Sequence, residues 1–176
     1  SNTGYDIGRI SLSGELVRLQ MKKKKINENQ VIYNVIRLAN ERDLDRLSEA
    51  REQELPTLVR ARAISASLGL NMKLGDIEFQ GDKRKATFYY TAEGRIDFRE
   101  LIRHFAGEFR VKVEMRQIGA RQESGLIGGI GPCGRELCCS TWLTDFKSVN
   151  TAAARYQNLA INQSKLSGQC GRLKCC

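Results

Sequence analysis

The chain carries one histidine, His104, and no cysteine before Cys133. Catalysis by a cysteine nucleophile needs a base within hydrogen-bond reach. His104 lies beside an apolar helical stripe, far in sequence from the thiols, so it reads as a helix-flank residue and not as that base. No apolar run approaches the roughly 18 residues of a membrane span, and no secretory leader is present, which makes a cytoplasmic protein the expectation. The glycine-rich loop Gly125–Gly134 is not followed by Gly-Lys-Ser/Thr, so it is not a P-loop; its glycines serve tight turns. These absences together point away from an enzyme.

What is present is ordinary in bulk and unusual in distribution. Of 176 residues, 41% are hydrophobic and 28% charged, the composition of a globular protein with enough core to fold unaided. Lys and Arg number 29 against 20 Asp and Glu, giving a net charge of +9 that favours an acidic partner, nucleic acid being the commonest. All six cysteines fall in the last 44 residues, in two copies of Cys-Gly-Arg-x-x-Cys-Cys. The first copy holds Cys133, Cys138 and Cys139, the second Cys170, Cys175 and Cys176. Cysteines kept as small apolar residues would be scattered over strands and helices. In a reducing compartment such a pattern suits thiolate ligands or redox groups better than three structural disulfides.

Along the chain, residues 4–26 read as a β-hairpin turning at Ser13-Gly14, with Val17, Leu19 and Met21 alternating against Arg18 and Gln20. Val31–Ala39 is apolar on both faces, as a central strand is. Asn40-x-x-Asp43 can cap a helix that runs to about Leu68 and stops at Gly69, with Pro56 predicting a kink or two helices meeting at Leu55. Ile77 and Phe79 mark the next strand; Gly81-Asp82 turns the chain into Lys85–Thr91, where Ala86, Phe88 and Tyr90 share a face. Asp97-x-x-Glu100 has the form of a capping box before a stripe of Phe98, Leu101, Ile102 and Phe105. Val111, Val113 and Met115 alternate in a last strand. The order β-α-β-β-α-β is that of ferredoxin-like sandwiches and predicts one antiparallel sheet with both helices on one face. The expected α+β architecture is therefore a hairpin region over 1–28, a ferredoxin-like domain over 29–116 and a cysteine-bearing segment over 117–176. That last segment is irregular except for a short helix at 151–160, with Trp142 and Phe146 as anchors.

Zinc and iron–sulfur sites generally take four protein ligands, and thiolates suit both. Adjacent cysteines in extended chain point to opposite sides, so one from each Cys-Cys pair with Cys133 and Cys170 gives four. The spacing is then C-x4-C, about 31 residues, and C-x4-C. Gly134 and Gly171 free the backbone to turn amides toward sulfur, and Arg135 and Arg172 offset negative charge. Redox-active thiols and simple burial remain open beside metal ligation.

The run GGIGPCGRELCCSTWLTDF, together with TAEGRIDFRELIRHFA, VEMRQIGARQE and NLAINQSKLSGQCGRLKCC, resembles the polymerase-suppressor C-terminal domain family, whose bacterial members include the RicT-type cell-fate regulators. The likeness covers almost all of residues 4–176. It implies a cytoplasmic, non-enzymatic regulator acting in a protein complex with RicA- and RicF-type partners. It also implies that these cysteines bind an iron–sulfur cluster, a 4Fe–4S cluster foremost with zinc as the alternative. In such complexes an endoribonuclease matures and turns over messenger RNA.

RNA contact is the rival reading. The strand Arg84–Thr91 lacks the glycine and the aromatic pattern of RNA-recognition modules, which argues against base stacking on the sheet. Contact through Lys22, Lys23, Lys24, Lys25, Arg116 and Arg121 is the form it would take.

Overall fold

The structure, a computed structural model, describes residues 4–27, 34–146 and 149–175. It is an α+β fold built on three strands, β1 (Lys73–Phe79), β2 (Lys85–Thr91) and β3 (Lys112–Gln117), in the spatial order β1-β2-β3. Two long helices, α2 (Glu41–Ser67) and α3 (Arg99–Phe109), cover one face of that sheet.

The alternation seen in the sequence sets the buried face. Leu74, Ile77 and Phe79 of β1 lie beside Tyr90, Phe88 and Ala86 of β2, and all six are buried. Ala50, Leu58 and Ala61 of α2 and Leu101 and Phe105 of α3 close over them. The Phe88 and Phe105 rings stack at 4.6 Å, with Phe109 at 5.6 Å from Phe105. Of the expected α3 stripe, Leu101 and Phe105 are fully buried and Phe98 packs on Tyr90 at 4.8 Å, whereas Ile102 is 37% exposed at the flank. The expected capping box does not form: the N-cap of α3 is Phe98, without a side-chain cap bond, and Asp97 just before it accepts the Arg99 N–H at 3.1 Å instead of that of Glu100.

α2 begins where the sequence places it. Asn40 Oδ1 accepts the Asp43 N–H at 3.0 Å, and the Asp43 carboxylate accepts the Asn40 N–H at 2.9 Å. The helix is continuous through Pro56 and ends before Gly69, which takes φ 64°.

Three expectations need correcting. Ser13-Gly14 does not turn a hairpin: Gly14 precedes a helix, α1 (Glu15–Lys24), and residues 7–10 form no strand. Val17, Gln20 and Met21 are its half-buried positions, an i, i+3, i+4 spacing that overrides the period-2 alternation read from the same residues. The strand expected over 31–39 is absent from residues 34–39, and 31–33 lie outside the described residues. Val35, Ile36 and Leu38 are 78%, 81% and 79% exposed, and Arg37 folds back to bond both Asp43 carboxylate oxygens. Finally, β2 and β3 pair in parallel, Lys85 opposite Lys112 through Tyr90 opposite Gln117. A helical crossover returns the chain to the end from which β2 started, so β3 must run the same way. With no strand from 34–39 between them, the two become neighbours.

Phe105→Ala should therefore cost about 3–5 kcal/mol through the cavity it leaves, while Ile102→Ala stays well below that. Urea unfolding that ranks the two alike would show that the buried face of α3 is misassigned.

Arg37, and next the Asn40 amide, hold the Asp43 carboxyl below its ordinary value of 3.8. Its contribution to stability is thus complete above that value and fades as pH falls through the lowered one. Asp43→Asn should lower stability at neutral pH and flatten the acid limb of the stability–pH curve, as read from thermal melts between pH 2 and pH 7 (about the range over which a carboxylate titrates).

Candidate functional site

The cysteine segment starts from the end of the sheet. The buried Ile118 donates its N–H to Tyr90 O at 2.8 Å, and Gly119 donates to Gln122 Oε1 at 3.0 Å. This opens α4 (Ala120–Ile127), a helix where the glycine-rich composition suggested irregular chain. Lys73 Nζ and Glu123 Oε1, 2.9 Å apart, fasten α4 to β1. Gly125 meets the first cysteine loop so closely that a Cβ there would stand 2.9 Å from Cys139 O.

The two motifs fold into the same loop. In the first, Gly131 donates to Arg135 O at 2.8 Å, Gly134 to Gly131 O at 3.0 Å and Leu137 to Gly129 O at 3.0 Å. In the second, 37 residues on, Gly168 donates to Arg172 O at 2.8 Å, Gly171 to Gly168 O at 3.0 Å and Lys174 to Leu166 O at 2.9 Å. Each loop closes with one antiparallel bridge, Ile130 to Glu136 and Ser167 to Leu173. Gly134 and Gly171 take φ 77° and 74°, a left-handed turn that a side chain would strain. Cys133 and Cys170, and likewise Cys138 and Cys175, therefore occupy equivalent points of one structure built twice.

Between the loops the chain forms α5 (Thr151–Tyr156), with Asn150 accepting the Ala152 N–H at 3.0 Å, and α6 (Gln163–Leu166), with Asn162 accepting the Ser164 N–H at 3.0 Å. The expected helix at 151–160 is thus shorter, ending at Tyr156. The doubling back carries the second loop to the first. Cys133, Cys138, Cys139, Cys170 and Cys175 all line one cavity of about 240 Å³. Cys176 lies outside the described residues. Cys133, Cys138, Cys139 and Cys170 are thiols not engaged in disulfides.

Arg121, Glu136 and Lys174 are the charged residues among the cavity's other linings. Arg121 Nη2 donates to Leu173 O at 2.9 Å, and its guanidinium lies 5.2 Å from the Phe146 ring. Arg135 and Arg172 have a different place from that expected: their side chains are exposed, and it is their carbonyls that close the loops. Phe146 is half-buried against Arg121, but Trp142 is 71% exposed and anchors nothing. His104 sits on α3, apart from the thiols.

Of the basic residues weighed for nucleic-acid contact, Lys22, Lys23 and Lys24 occupy the exposed last turn of α1 and Lys25 its left-handed end. Arg116 lies 5.8 Å from the Tyr89 ring on the sheet face opposite the core. There Tyr89 donates its hydroxyl to Glu78 at 2.8 Å, and Lys85 pairs with Glu114. Burial, with help from Glu78, pushes the Tyr89 hydroxyl above its usual pKa.

As a donor set the site fits a thiophilic centre: soft sulfurs on two equivalent loops line one cavity, where the cations Arg121 and Lys174 outnumber the carboxylate of Glu136. Among the described residues, no three His, Cys, Asp or Glu side chains are gathered closely enough to hold one metal ion. The loops bring the sulfurs to one place without drawing them into a finished ligand sphere.

Fold and site define an α+β protein with a duplicated cysteine loop mounted at one end of its sheet. The chain belongs to the PSP1 family: residues 33–118 match the PSP1 C-terminal conserved region and residues 148–176 the third domain of PSP1-like proteins. Stage 0 sporulation protein YaaT of Bacillus subtilis is 45% identical over 157 residues, which cover 88% of this chain and 57% of that protein. An uncharacterized protein of Schizosaccharomyces pombe, PB7E8.02, is 35% identical over 136 residues, 65% of this chain and 18% of its own length. Protein PSP1 of Saccharomyces cerevisiae is 43% identical over 44 residues, 25% of this chain and 5% of its own. The chain thus spans little more than half of the Bacillus relative and a small part of the yeast ones. No solved structure matches it significantly.

Gly125→Ala should push the first loop off α4, because its new methyl cannot share space with Cys139 O. Alkylation of Cys139 followed by peptide mass mapping should be faster in the variant; an unchanged rate would mean that the contact does not hold the loop.

Proposed function

We propose that this chain is the regulatory and scaffolding part of a YaaT-like cytoplasmic protein, and that its paired loops hold an iron–sulfur cluster. The observation that carries this reading is the meeting of two like-folded cysteine loops at one cavity. The residues that would hold the cluster are Cys133, Cys138, Cys139, Cys170 and Cys175, with Cys176 placed in the same role by the motif. Thiolates bind after losing their protons, and Arg121 and Lys174 compensate the negative charge that results. A bound cluster supplies a one-electron redox centre and a cross-link between the loops. This chain's own residues position and bury it: Gly125 admits loop one against α4, and the left-handed glycines turn each loop tightly enough for its sulfurs to face the cavity.

The protein works without an active site of its own in this reading and acts through partners. The membership in the PSP1 family and the likeness to a sporulation protein support a regulatory role. The resemblance carried by the cysteine motifs adds RicA- and RicF-type proteins and an endoribonuclease as the proposed partners, in a complex that influences messenger RNA processing. Among the described residues no helix is long and apolar enough to cross a membrane. A cytoplasmic location keeps the thiols reduced for such ligation.

Anaerobic purification should retain iron and acid-labile sulfide in equal amounts, and Cys133→Ser combined with Cys170→Ser should remove both. Stoichiometric zinc in their place would mark a structural zinc site. A protein that holds neither metal, yet binds RNA with an affinity falling steeply as salt rises, would instead be an RNA-contacting accessory protein with structural cysteines.

A further inference from the structure

We infer that Arg121 is the positioning residue that holds the second cysteine loop against the first. Arg121 belongs to α4, which leads directly into the first loop and touches it at Gly125. Its guanidinium donates through Nη2 to the carbonyl of Leu173, the residue that closes the second loop by bridging to Ser167. The same guanidinium lies over Phe146, on the chain between the loops. One side chain therefore fastens three pieces of the segment, and it lines the cavity those pieces enclose. A planar cation suits this work: it can bond in its plane and stack through its face at once, which an ammonium cannot do.

The arrangement is one-sided. The first loop follows directly on α4, which carries Arg121, whereas the second follows the four-residue α6. The loops are alike, but only the first reaches across to the second in this way. Arg121 Nε is out of solvent and lacks a hydrogen-bond partner among the described residues. The inference deepens the cluster reading and rests on it for its purpose, which is to preassemble the ligands of both loops.

The test uses metal-free, reduced protein and dibromobimane, which fluoresces on bridging two nearby thiols, with the bridged pairs located by peptide mass. Wild type should give a link between Cys133 and Cys170, across the loops, and a link between Cys133 and Cys138, within one loop. Arg121→Gln should weaken the cross-loop link about tenfold, the ratio that one lost charged hydrogen bond represents. Its within-loop link and melting temperature should stay at wild-type values, and Arg121→Lys should fall between. A cross-loop link at the wild-type level in Arg121→Gln overturns the inference. So does its absence from wild type, or a parallel fall of both links, which would mean that the first loop had simply unfolded. Iron uptake by wild type is measured separately. If the protein takes up no iron while Arg121→Gln still loses the cross-loop link, the cluster reading fails and the clamp stands.

Discussion

The contact between Phe88 and Phe105 joins the middle strand to the crossover helix, and the placement of much else follows from it. It keeps α3 on the face already covered by α2, so the chain leaving α3 can only come back beside β2 and parallel to it. The end of β3 is thereby fixed, and Ile118, bonded to Tyr90 and buried, carries that position into α4. The site stands on the sheet through α4, which Lys73 and Glu123 tie to β1. A cavity at Phe105 would loosen the sheet and also the ground on which the cysteine loops are built.

The loops themselves follow another rule. Each is a short chain with little core, so its shape depends on backbone hydrogen bonds and on glycines with positive φ, Gly134 in the first and Gly171 at the same point of the second. Such a loop gains its conformation locally and can be repeated with different neighbours. Leu137 and Lys174 show this: one apolar and one charged, they make the same closing bond. What differs between the copies is their attachment. Gly125 and Arg121 belong to the first copy alone, so the second is held by what the first offers it.

That division suits a ligand-binding segment attached to a rigid support. The sandwich carries most of the buried apolar surface, while the cysteine segment keeps exposed apolar side chains at Leu126, Ile127, Ile130 and Trp142. The sheet face away from the core holds Tyr89 hydrogen-bonded to Glu78, Arg116 against the Tyr89 ring, and Lys85 paired with Glu114.

Local signals determined much of this protein. Asn40 with Asp43, the alternation through Ile77, Phe79, Phe88 and Tyr90, and the Leu101–Phe105 stripe each act over a few residues, and the structure keeps all of them. The two cysteine motifs were also legible, because a ligand pattern is written in residue type and spacing. Where a segment had two readings, tertiary contacts decided. Val17 and Met21 fit a strand or a helix, and the chain takes the helix, in which Gln20 is half-buried beside them. Val35, Ile36 and Leu38 have strand character, yet Arg37 is drawn to Asp43 and the segment stays outside the sheet. The parallel pairing of β2 and β3 followed from that exclusion. Arg121 read as a surface cation because nothing local marks a side chain that bonds a carbonyl 52 residues away. The sequence supplied the sulfurs and the turns; only the folded chain brought the two loops to one cavity, because that meeting depends on contacts between residues far apart along it.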